Sequence, residues 1–239
     1  ASLNHRTLMV TLISLISVFI CYHFNIYFKV DLTLLSIAII FPLVFTIRGS
    51  FRRREKALEH LSQYRSAMKT LYYFITTSTL IENEEAGLKL LLENIENKTL
   101  LHLKSNQGDI KKLDDEVNKL YDFIHSRRET IPKGLKDKLF KYLCDLHEAI
   151  DNLNGIHVHR TPVSLKAYCK VFIYIFPLIY SPTIIYNIGI DYNPMAVYFV
   201  VVLTEFILIS LYNIQDDLEY PFDEKGLDDI KLDHFKVLR

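Results

Sequence analysis

The sequence predicts an all-α fold: four transmembrane helices in two hairpins, with a charged, cytosolic helical insert between them. Three observations lead there. Charge is segregated along the chain. The 239 residues carry 28 Lys+Arg and 28 Asp+Glu, yet residues 7–48 and 165–214 are almost free of them, and 50–160 hold most. Gly numbers only 7, and no stretch alternates apolar and polar residues cleanly, which argues against strands. Four apolar runs each come close to the ~20 residues that cross a hydrocarbon core.

The first run is Thr7 to Tyr22, extendable through Phe28. A short polar stretch before it could suggest a signal peptide, but no small-residue cleavage site follows, so a membrane span is the better reading. The second run is Leu32 to Ile47, the third Val171 to Ile190 and the fourth Pro194 to Tyr212. Tight joins at Asn25–Asp31 and Asn187–Asn193 make two hairpins. Asn193-Pro194 marks a helix start, with Asn as the cap and Pro at the first helical position. Pro42, Pro177 and Pro182 sit inside spans. Each removes a backbone hydrogen bond, so a neighbour must satisfy the freed carbonyl.

Lys and Arg set the orientation. Arg48, Arg52, Arg53, Arg54 and Lys56 follow the second span, and Arg160, Lys166 and Lys170 precede the third. The insert and both termini are therefore expected in the cytosol of a multi-pass cell-membrane protein. Its parts divide as 1–48 and 165–214 for the hairpins, 49–164 for the insert and 215–239 for an acidic tail.

The insert is periodic throughout. Ala57, Leu61, Tyr64, Met68, Leu71 and Ile75 recur at steps of four and three, continuing the second span as one helix. Leu88 to Ile95 and Ile110 to Ile124 mark two more helices. Leu135 to Leu153 marks a last one, ended by Gly155.

No nucleophile elbow, phosphate loop or Gly-rich dinucleotide turn is present, so no enzyme is expected. Net neutrality gives no reason to expect nucleic acid. Cys21, Cys144 and Cys169 lack metal-ligand spacing. His157 and His159 could ligate a metal on an extended segment but have no acidic or Cys partner nearby, so a solvated junction is preferred. No cofactor or metal is expected. Glu205 is the one acid well inside a span, either functional or simply a buried acid, neutral or hydrogen-bonded between helices. Asp216, Asp217, Glu219, Asp223, Glu224, Asp228 and Asp229 could suggest calcium, but without an EF-hand pattern they read as a solvated face.

Three stretches together resemble the bestrophin family of ion channels, particularly its bacterial members. They are Ser50-Phe51-Arg52-Arg53 after the second span, Arg160-Thr161-Pro162 with Tyr168 before the third, and Gln215 through Phe222 with Asp228 after the fourth. The resemblance implies a homopentamer in membrane lipid that passes small inorganic ions, chloride or other small anions, through a central pore. It also implies a hydrophobic neck on the second helix, which the register of Phe51 and Arg53 places at Ile37, Phe41 and Phe45. Ile39, Leu43 and Ile47 have the same spacing and remain the competing register. The family's cytosolic aperture corresponds to Thr161, here polar rather than aliphatic. The calcium clasp of animal members needs an acid where Lys225 stands, so no calcium activation through that site is expected. A different class of function is a membrane-anchored scaffold or signalling protein whose cytosolic helices bind a partner.

Overall fold

The computed structural model describes residues 4–77, 85–105, 110–127, 129, 131–191, 193–226 and 228–237. Among these, all regular structure is helical: α1 (His5–His23), α2 (Leu32–Thr77), α3 (Glu85–Lys104), α4 (Ile110–Ser126), α5 (Lys133–Val158), α6 (Val163–Ile188), α7 (Pro194–Leu218) and a 3-10 turn at Leu232–Phe235. Among the described residues, four stretches are long and apolar enough to cross a membrane: His5–His23, Leu32–Thr77, Lys133–Ile188, which holds α5 and α6, and Pro194–Leu218.

The chain divides into two compact units. The first comprises Ala1–Arg52 and Thr161–Glu219. Here α1 packs on both α6 and α7, and α6 packs on α7. The side chains of Ile39 and Leu43 on α2 join a core with Val10, Ile173, Phe176 and Leu208. A second cluster gathers Val18, Cys21, Ile185, Val197 and Val201. Between helices in lipid such side chains hold by close packing rather than by escape from water. Ser17 bridges α1 to α6, donating to the Pro177 carbonyl at 2.9 Å and contacting Ser181 Oγ at 3.1 Å.

The second unit comprises Arg53–Arg160 and Tyr220–Arg239. Its core runs along the predicted stripes, with Leu61, Tyr64, Leu92, Leu120, Leu146 and the tail residue Phe222 buried together.

Helix ends have local causes. Asn4 caps α1, its side chain accepting from the His5 N–H at 2.8 Å. α1 stops at His23 rather than extending through Phe28, because Asn25 adopts a left-handed φ of 52°, a conformation Asn tolerates better than most residues. α7 begins as its sequence signal predicts, with Asn193 Oδ1 accepting the Met195 N–H at 3.0 Å. α5 runs through Gly155 to Val158 instead of ending there, and the Gly155 carbonyl accepts the His159 N–H at 2.9 Å. Glycine in a last helical turn costs only about 1 kcal/mol. α3 continues past Ile95 because Thr99, Leu100 and Leu103 extend its buried face.

Pro42 lies inside α2 and cannot donate to Ala38, four residues earlier. Tyr168 on α6 supplies the missing donor, its hydroxyl reaching the Ala38 carbonyl at 3.3 Å.

Candidate functional site

On α2 the two competing registers separate by burial. Ile39 is 2% and Leu43 1% exposed, and Ile47 is half-buried against the same core. Ile37, Phe41 and Phe45 are 44%, 55% and 61% exposed. At about 100° per residue, the latter three span an arc of about 80°, and Ile39 and Leu43 lie on the far side of the helix. On the exposed face the ring centroids of Phe41 and Phe45 lie 6.2 Å apart. Leu34 and Val44 extend this apolar surface, and Arg48 and Arg52, both exposed, follow on it.

Thr161 occupies a different setting. Its backbone N–H donates to Glu219 Oε1 at 3.0 Å. Glu219 is only 2% exposed, and its other oxygen accepts from Gln215 Nε2 at 3.2 Å and pairs with Lys166 Nζ at 2.6 Å. Lys166 also meets Asp216 Oδ1 at 2.7 Å, and Arg6 meets Asp216 Oδ2 at 2.7 Å. A buried carboxylate is tolerable when paired and hydrogen-bonded in this way. The network ties the first turn of α1, the first turn of α6 and the end of α7 to the backbone of Thr161. The structure thus collects the three neck candidates on one helix face and sets Thr161 in this ion-pair cluster.

Sequence reasoning missed the cluster. The solvated face expected of the acidic run describes the exposed Asp217, Glu224 and Asp228, but not the buried Glu219. Lys166 and Asp216 are visible as charges flanking spans, but no local spacing connects Arg6 to Asp216.

Of the other candidates, His157 packs its ring against His102 and Phe222, with centroids 5.4 and 6.3 Å away, while His159 is exposed beyond the helix end. Glu205 is 1% exposed, and among the described residues neither of its carboxylate oxygens has a hydrogen-bond partner. In the tail, Asp229 accepts the Gly226 N–H at 2.7 Å. Burial, and then the neighbouring Asp223 carboxyl, push its pKa up to about 6. Asp114, His147 and Asp151 bring ligand atoms within 4.8 Å of one another on the surface of α4 and α5. The spacing of four between His147 and Asp151 was a legible signal for that group; the approach of Asp114 was not.

Solved structures share this architecture over nearly the whole chain. A bacterial bestrophin homologue from Klebsiella pneumoniae superposes with a TM-score of 0.78 at 16% identity, covering 96% of this chain and 93% of that one. A point variant of the same homologue gives 0.78 at 18% identity, with the same coverage. A crystal structure described as a membrane protein variant gives 0.79 at 17% identity, covering 96% and 93%. No protein-family profile matches the chain, and no curated protein matches it.

Proposed function

We propose that this chain, which has the fold of the bacterial bestrophin homologues, is the subunit of a homopentameric ion channel in the cell membrane, with both termini in the cytosol, and conducts chloride or other small anions. The observation that carries the reading is the face of α2. A helix long and apolar enough to span the bilayer turns Ile37, Phe41 and Phe45 outward while its opposite face is packed. Five copies of that face around an axis form an apolar constriction, which gates by dewetting. Thr161, held by Glu219, forms the cytosolic aperture, where a polar ring presents a lower barrier to ions than an aliphatic one.

The test is ion flux in liposomes. Replacing Ile37, Phe41 and Phe45 together by Ala raises flux or abolishes gating, because a wider and less apolar neck stays wet. Flux and gating unchanged in the triple variant would sink this register. A chain that passes no ions but captures a soluble partner through its cytosolic helices would instead fit the scaffold reading.

A further inference from the structure

We propose that Arg48 and Arg52 are the charge-selecting residues of the conduction path, forming rings of positive charge at the cytosolic mouth of the neck; this rests on the pore reading of α2. At about 100° per residue, Arg48 lies about 20° and Arg52 about 60° around the helix from Ile37, inside the arc of about 80° from Ile37 to Phe45. Whatever space Ile37, Phe41 and Phe45 face, Arg48 and Arg52 face it too.

Both guanidinium groups are free to act on a passing ion. They are exposed, and among the described residues neither is held by a hydrogen bond or an ion pair. Their neighbours in the basic run differ. Arg54 points elsewhere on the helix and donates from Nε to the Asp228 carbonyl at 2.7 Å, and Arg53 is half-buried. No acid occurs between Leu32 and Arg54 to offset the charge. Glu55 is the first, returning on the same face one turn beyond Arg52. An arginine stays charged at any working pH and keeps its charge in a narrow passage. Beside an apolar constriction, where the local dielectric falls, rings of such charge attract anions and repel cations.

The experiment is the reversal potential of the full-length protein in a planar bilayer under a KCl gradient. Wild type is expected to prefer chloride. The combined Arg48→Gln and Arg52→Gln variant is expected to lose about tenfold in the chloride-to-potassium permeability ratio, the scale of a few screened unit charges at pore distances. Arg48→Lys retains the wild-type ratio, and Arg48→Glu shifts it toward cations. If the double variant does not assemble, Arg48→Gln alone is read, with about half the logarithmic shift. A conducting double variant with an unchanged reversal potential overturns the assignment while leaving the channel reading intact, and so does a wild type that prefers potassium. A wild type that conducts nothing overturns both.

Discussion

Glu219 joins Thr161, Gln215 and Lys166 in the first unit. Its carboxylate accepts the Thr161 N–H at 3.0 Å while paired with Lys166, and hydrogen bonds to charged groups are worth about 1.5–3 kcal/mol. Glu219→Ala should therefore speed amide hydrogen exchange at Thr161 by roughly 10- to 100-fold. Asp216→Asn removes the acid between Arg6 and Lys166 without touching that amide, so it should change the rate far less. Equal acceleration in the two variants would show that the cluster holds the region as a whole, and that Glu219 has no particular grip on Thr161. At this scale the sequence was only partly legible. A spacing of four puts Ile37, Phe41 and Phe45 on one face, and it does the same for Ile39, Leu43 and Ile47. Only packing against Val10, Ile173 and Leu208 distinguishes them. Likewise, Glu219 reads as one acid among many until its burial is known.

At the scale of elements, α2 combines a rule broken with its repair. Pro42 deprives the Ala38 carbonyl of its helical donor, and the Tyr168 hydroxyl on α6 replaces it at 3.3 Å. The two positions should be energetically coupled. Tyr168→Phe is expected to cost about 1 kcal/mol in unfolding from mixed micelles, and nearly nothing once Pro42→Ala restores the backbone N–H. A double-mutant cycle with no coupling would show that water or lipid satisfies Ala38 instead. Helix existence was legible almost everywhere because apolar periodicity and caps are local. Asn193-Pro194 is the clearest case. Helix ends were less so. The stop expected at Gly155 failed because a glycine can finish a helix without ending it, and the stop at His23 depends on the backbone of Asn25, which hydrophobicity does not encode.

For the whole molecule, the channel reading makes a demand on stoichiometry. A single subunit leaves Ile37, Phe41 and Phe45 uncovered, and only a ring turns that face into a conduit. The particle in detergent should weigh about five times the 28.0 kDa chain once bound detergent is subtracted. A monomer or dimer by light scattering would remove the conduit. Segregated charge made the four spans legible, since lipid tolerates so few alternatives. How α1 sits among its neighbours was not legible, because the pairing between Arg6 and Asp216 closes over 210 positions of sequence.

That distance is also an interval of time. A ribosome adding about 5–20 residues each second needs roughly 10–40 s to travel from Arg6 to Asp216. For most of that interval α1 exists without α6 or α7, the helices it packs against, since these begin only at Val163 and Pro194. The helices α3, α4 and α5, drawn from consecutive chain, meet their partners much sooner. Of the helices described, α1 is made before the others yet is among the last to find its place, and Arg6 waits for its acid until the fourth apolar segment has been translated.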